Sequence, residues 1–407
     1  MAYINPIEIQ FPVASLDAFA RQRVSNPTTI FDSKQLSDNL PEFWDDSQIS
    51  GSGTSSVHSP NRASSIILVA NLTAGRRIRQ TFRRFNYQPG KSQLCIFTFV
   101  MGTAVSGVTR RCGLYDDNNG IFLQQTGAGM AVGVRSFVTG VAVNNTVLQA
   151  AWNIDKLDGT GASGITLDPT QSQIFFFDFE WLGVGSVRCG FFIGGVPYYC
   201  HRFDNANLNN SVYMSTPNLP LRYEIENDGT GADASFEHIC STVISEGGAQ
   251  NTGLTRGLDR GTTSFVTGND NNFYPLIALR LKSNYLSSSV KPIDFSIICT
   301  SSSPYLWQLL LNPTVSGTAL SFTGITNDSI EADVSTTNAT TLTGGTVLRS
   351  GVASQGNQGG NAEGKISDDF FLGSDIAGNR DVLVLAVSRL VGASETFYAA
   401  LNYIDQK

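Results

Sequence analysis

Histidine is nearly absent, with three in 407 residues, and no HExxH occurs. The common metallohydrolase patterns are therefore missing, and no metal site is expected. Charge is also scarce, at 15% Asp, Glu, Lys and Arg, against about a quarter in ordinary globular chains. Basic residues form only short pairs, such as Arg76–Arg77 and Arg83–Arg84, and the net charge is −7. A nucleic-acid reader carries a basic stripe, so that class is excluded. The six cysteines (Cys95, Cys112, Cys189, Cys200, Cys240, Cys299) include no CxxC. That rules out zinc-finger spacing and a disulfide scaffold, and buried free thiols are expected instead. No run of about 18 apolar residues exists to span a membrane. The start "MAYINPIEIQFPVASL" lacks the basic-then-apolar pattern of a signal peptide, so synthesis in a cytoplasm is the expectation. "SGSGTSS" (50–56) lacks the Lys-Ser/Thr of a phosphate loop and reads as a linker; no cofactor is implied.

Glycine and aromatics are plentiful: 40 Gly, 25 Phe and 12 Tyr. Together with many Ser, Thr and Asn, they suit short strands joined by tight turns. From Phe11 on, residues 1–60 carry Pro at 12, 27, 41 and 60 and isolated anchors such as Phe11, Phe19, Phe31, Phe43 and Trp44. No period of 2 or 3.6 persists apart from a short helical pattern near Leu16–Arg23, so this stretch reads as an extended arm packing on a partner or on its own sandwich. From 61 to 250 strand signals recur without a helical stripe, which predicts a jelly-roll β-sandwich. A seam at 247–272 precedes eight further strand candidates in 251–407, enough for a second sandwich, although one large interleaved sandwich is an alternative. Residues 335–366 approach low complexity and read as strands with long loops. The expected fold is all-β: two jelly-roll-type β-sandwiches in tandem behind an N-terminal arm.

The stretch "QIFFFDFEWLGVGSVRCGFFIGGVPYYCHRF" (173–203) poses the question of chemistry. Alternation sets Phe175, Phe177, Phe179 and Trp181 on one face, which must be buried, and Asp178 and Glu180 on the other. Two carboxylates one strand repeat apart (roughly 6.5–7 Å) can serve paired-acid catalysis. A sandwich glycosidase of the laminarinase kind has a third acid on that face, where this chain has Phe176, Ile174 and Leu182. The reading is a structural pair with Arg188 on the next strand as counter-charge. "GVGS" (183–186) and "GG" (194–195) are expected hairpin turns, making a three-strand meander with Val187, Cys189 and Phe191 on one face. His201 and His238 have no nucleophile elbow near them and read as structural. "YDDNNGIF" (115–122) has acids and a glycine but not calcium-loop spacing, so it reads as a turn. Sequons at Asn71, Asn144, Asn209, Asn327 and Asn338 are expected by chance in so Asn- and Thr-rich a chain.

"SNPTTIFDSKQL" with "FWDD", "RQTFRRFNYQPGKSQL", "RRCGLYDDNNGIFLQ", "FDFEWLGVGSVRCGFFIGGVPYYCHRFDNAN", "MSTPNLPLRYEIENDGTG" and "EHICSTVISEGG" resemble a family of tailed-bacteriophage virion structural proteins, marine and cyanobacterial phages included. The resemblance covers about residues 25–250. The sandwich is also similar to concanavalin-like and laminin-G-like modules, some of which bind glycans, and the last third is similar only to jelly-roll-like spike domains. The resemblance implies a non-enzymatic virion surface protein, a capsid- or tail-attached fibre or decoration protein. It also implies other virion proteins as partners and homo-oligomers, trimers by analogy with phage fibres. It carries over no catalytic, cofactor or metal residue. The alternatives are a receptor-binding protein engaging host glycan through loops of the second sandwich and, from another class, a glycan depolymerase.

Overall fold

The structure is a computed structural model that describes residues 16–18, 21–23, 26–248, 252–300, 303–354, 360–366 and 370–407. Two compact units divide the chain: Met1–Thr81 with Phe85–Gln250, and Asn251–Lys407 with the tripeptide Phe82–Arg84. Each has its own hydrophobic core. Among the described residues there are strands and single 3₁₀ turns but no α-helix.

In the first unit the strands are β1 (Thr28–Lys34), β2 (Trp44–Gly51), β3 (Thr54–Ser59), β4 (Ser64–Val69), β5 (Gly75–Thr81), β6 (Gln93–Val100), β7 (Val108–Tyr115), β8 (Gly120–Thr126), β9 (Gly129–Ser136), β10 (Val143–Leu148), β11 (Gln173–Phe179), β12 (Val187–Ile193), β13 (Val196–Phe203), β14 (Leu221–Asn227) and β15 (Ala234–Ser245). One sheet runs β13-β12-β11-β6-β15-β4-β3 with β1 also on β15; the other runs β10-β9-β8-β7-β14-β5-β2. Successive strands repeatedly change sheet, as in a jelly roll. Alternation decides what faces inward: in β6, Gln93, Cys95, Phe97 and Phe99 are buried and their neighbours half-buried. The aromatic face of β11 is as expected, with Phe175, Phe177 and Phe179 in the core beside Val187, Cys189 and Phe191 of β12. The turn joining β12 to β13 has Gly194 and Gly195 at φ 58° and 80°, the left-handed conformation of a two-residue hairpin turn.

The second unit comprises β16 (Leu254–Asp259), β17 (Phe265–Val266), β18 (Tyr274–Leu281), β19 (Ser289–Cys299), β20 (Tyr305–Leu311), β21 (Thr314–Gly317), β22 (Thr323–Gly324), β23 (Ile330–Asp333), β24 (Thr340–Thr343), β25 (Thr346–Ala353), β26 (Gly360–Lys365), β27 (Leu383–Arg389) and β28 (Thr396–Gln406). Its sheets are β16-β28-β19-β26, with β17 on β28, and β22-β23-β18-β27-β20-β25. Central β27 is buried on both faces. Leu383, Leu385 and Val387 enter the main core, while Val384 and Ala386 meet Ala278, Leu310 and Leu342 in a smaller one. Leu342 belongs to the β21–β24 ribbon, and this double burial explains the unbroken apolar run "VLVLAV".

Three expectations change. Residues 28–60 are not an arm: β1, β2 and β3 are hydrogen-bonded strands of both sheets. Where the helical pattern near Leu16–Arg23 is expected, the described residues show an antiparallel Leu16–Gln22 bridge; residues 1–15, with Phe11, and 19–20, with Phe19, lie outside the described residues. The seam at 247–272 contains β16 and β17, which both pair with β28. Residues 28–60 and the seam share one reason: these segments borrow a neighbour's sheet, so they need no strong alternation of their own.

Candidate functional site

Asp178 faces away from the core, and the strand register places it opposite Arg188. Arg188 Nε donates to Asp178 Oδ1 at 2.9 Å and Nη2 to Oδ2. Two further groups converge on Oδ2: Tyr199 OH at 3.1 Å from β13, and Arg23 Nη2 at 2.6 Å from the loop before β1. Arg23 also bridges to Glu246 at 2.7 Å. Main-chain oxygens pin that loop, Leu16 O accepting from Arg188 and Ala18 O from Ser186. The side chain of Asp178 is 0% exposed. Burial and then the Asp178 charge push the Tyr199 phenol up. Asp178 thus lies between two guanidinium groups under a lid of its own chain, more buried than the sequence implies.

Glu180 does not join it. The strand ends at Phe179, and Glu180 enters a turn in which its N–H bonds Ser186 O and its Oε1 accepts from Ser186 N at 3.3 Å. Burial, then the charge of Asp17, raises its carboxyl above the usual range against the Ser186 bonds.

Sequence reasoning missed a second charged centre on the outer face of the β10–β2 sheet. Glu224 of β14 accepts from Arg111 Nη1 of β7 at 2.7 Å and Arg76 Nη2 of β5 at 2.9 Å. Arg222, one repeat along, bonds Gln80 and Asp117. Rings lie between the cations. Tyr115 has Arg222 at 5.3 Å and Arg135 at 5.4 Å, and Phe122 has Arg135 at 5.6 Å and Arg111 at 6.0 Å. Burial alone would lift the Glu224 carboxyl, but Arg111, Arg76 and Arg222 outweigh it and hold it at about 2. Glu226 stands one strand repeat from Glu224 on β14, and the three guanidinium groups favour the anion of Glu224. The parts are visible in "GRRIRQT" and "VTRRCGLY", which supply arginines, and in "LRYEIEN", where Arg222, Glu224 and Glu226 alternate with apolar residues, but only strand pairing assembles them.

The "YDDNNGIF" turn is used internally. Asp116 Oδ1 accepts from Asn118 N and Asn119 N at 2.8 Å each. Asp117 takes Arg76 and Arg222, which hold its carboxyl below the usual range against burial. His238 is fully buried, stacked on Tyr223 at 3.9 Å, with Nε2 3.1 Å from Ser241 Oγ. This is a Ser–His pair by distance alone. Among the described residues no carboxylate orients Nδ1, the side chain is fully buried, and burial then Arg79 lower the imidazole pKa well below its ordinary value. His201 accepts at Nδ1 from Asn153 N at 3.2 Å, and burial lowers its pKa despite Asp204.

His201 lines a trough of about 580 Å³ at the open end of the first sandwich, between the β9–β10 hairpin and the loop 204–213. Val134, Val143 and Val147 give it apolar walls, and Asn145, Asn153 and Asn205 are among its neutral amides. All six cysteines are free, Cys240 half-buried and the rest buried.

No known protein family matches the sequence, and no curated protein does. Solved structures show a likeness over about half of the chain. A Bacillus licheniformis β-glucanase matches at 10% identity and TM-score 0.36, covering 52% of this chain and 96% of its own. The Emp47p carbohydrate recognition domain matches at 10% and 0.35, covering 54% and 96%. A legume lectin-like domain from Entamoeba histolytica matches at 9% and 0.31, covering 53% and 97%. Likeness at this level transfers neither activity nor ligand to this chain.

Proposed function

We propose that this chain is a non-enzymatic structural protein of a virion, displayed on the particle as a capsid- or tail-attached fibre or decoration protein. One observation carries the reading: the two buried carboxylates on the outer faces of the first sandwich, Asp178 and Glu224, are held by guanidinium groups. Retaining glycoside cleavage needs a protonated acid about 5–5.5 Å from a free carboxylate nucleophile. Asp178 is shared by Arg188 and Arg23, and Glu224 at about 2 has no proton to give near neutrality. The described residues build walls and turns from their charges, which suits packing and display. The sequence resemblance over residues 25–250 points the same way and supplies the expected partners, other virion proteins and further copies of this chain.

A second reading, a receptor-binding protein for host glycan, is favoured by the trough with its amide rim and apolar walls. That would place recognition in the first sandwich and not in loops of the second. Gradient-purified particles analysed by quantitative mass spectrometry test the first reading, which expects this chain in fixed ratio to the major capsid protein. Full-length protein incubated with soluble β-glucans is expected to release no reducing ends. Turnover abolished in Glu224→Gln or Asp178→Asn would overturn the proposal. Saturable binding of neutral oligosaccharides without cleavage would move it to receptor recognition.

A further inference from the structure

Three edge strands of the first sandwich, β2, β13 and β10, are treated unequally. A sheet edge presents unpaired N–H and C=O groups, and proteins usually blunt it with charge, bulges or cover. At β2, Asp45 and Asp46 lie on the edge strand and its register breaks between Gln48 and Ser50. Along β13, the main chain at Ile154 and Asp155 donates to Cys200 O, and the Asn153 amide bonds both the N–H and the C=O of Arg202. β10 has none of these protections. It pairs with β9 through six consecutive residues without a register shift, and its other side has no strand among the described residues. "VNNTVL" contains neither charge nor proline, and no charged residue occurs from Ser136 to Ile154. Of its outward main-chain groups, Val147 O alone is engaged among the described residues, by the Trp152 indole. Around it Val141, Val143 and Leu148 are 66%, 54% and 47% exposed.

We propose that β10 is the contact by which two copies of this chain join, antiparallel, about a two-fold axis at Asn145. In an antiparallel ladder, opposed residues share a face. Setting Asn145 opposite Asn145 of the second copy puts Val143 opposite Val147 on the inner face and Asn144 opposite Thr146 on the outer face. Valine meets valine, amide meets amide, and no charge meets its like, so the strand is complementary to itself. Val143, Asn145 and Val147 line the trough, so the second copy's valines roof its apolar wall. The contact is isologous and closes at two copies. It joins two seven-stranded sheets into one continuous sheet, in place of the threefold bundle that the fibre resemblance implies. The inference rests on the reading of a self-assembling structural protein, but not on where that protein sits.

Sedimentation of full-length protein over a concentration series tests it, beside Asn145→Lys, Asn145→Cys and Asn144→Cys. Asn145 is exposed in the single chain, so a lysine there leaves the fold intact and sets two cations face to face at the axis. The expected result is a shift from one 43.8 kDa chain to two as concentration rises, lost in Asn145→Lys with an unchanged circular dichroism spectrum. Opposed hydrogen-bonded residues lie about 5.5 Å apart at Cα, within disulfide range. Oxidised Asn145→Cys should therefore cross-link two chains, and Asn144→Cys should not. A monomer at every concentration, a trimer, an Asn145→Lys protein that still pairs, or equal cross-linking by both cysteine variants would overturn the proposal. Any of these would leave the particle measurement unaffected, so the two readings fail separately.

Discussion

Asp178 shows how far a single residue could be read. Its counter-charge was legible, because a three-strand meander puts Arg188 opposite it. Arg23 was not, since nothing local links two residues 155 apart in sequence. The second guanidinium and full burial change the expected cost of a mutation. Breaking a buried pair by removing one partner costs about 3–5 kcal/mol, against about 0–1 kcal/mol for an exposed pair. Asp178→Asn should lower unfolding stability by about 3 kcal/mol in urea titration, and a loss under 1 kcal/mol would show the pair to be solvated. Glu180→Gln should be neutral or slightly stabilising at neutral pH, because burial already disfavours its charge. Glu224 gives the acid limb its sign. Its folded pKa of about 2 lies below its ordinary 4.5. Its contribution, roughly 3 kcal/mol by linkage, is therefore complete above pH 4.5 and lost as pH falls toward 2. Stability measured from pH 4 to pH 2 should fall less steeply in Glu224→Gln than in the wild type; equal slopes in the two proteins would contradict the account.

At the scale of elements, strands with strong alternation were legible and borrowed strands were not. β6 and β11 declare themselves by period, whereas β1 pairs with β15 through a register shift at Thr29–Phe31 and β2 shifts at Gln48–Ser50. A shift advances one strand by a residue and destroys the period of 2 on which sequence reading depends. Since β1 to β3 are sheet strands, native proteolysis should not cut at Lys34, although its side chain is 63% exposed. Trypsin should leave a stable core beginning no later than Thr28; early cleavage at Lys34 would return this stretch to an arm. The Gly194–Gly195 turn offers a cleaner test. A Cβ at Gly194 would meet nothing within 4 Å, but φ is +58°. Gly194→Ala should then cost about 1–2 kcal/mol through backbone conformation alone, measured by the same urea titration.

For the whole molecule, composition and turn spacing made two β-sandwiches legible, because few charges and many Gly and aromatics leave little else. The assignment of Phe82–Arg84 to the second unit was invisible, since a three-residue excursion has no sequence period. The Arg–Glu224 centre was equally hidden, because it is assembled by β5, β7 and β14, segments separated along the chain. What unites the scales is that the buried carboxylates on the outer faces of the first sandwich, Asp178 and Glu224, are held by guanidinium groups brought from distant segments. The central claim, a structural protein carried on a virion, is tested most directly by a cryo-EM map of the intact particle. The account predicts density into which both sandwiches fit, repeated at symmetry-related positions on the capsid or tail surface. A complete map in which no surface density accepts either sandwich would contradict it.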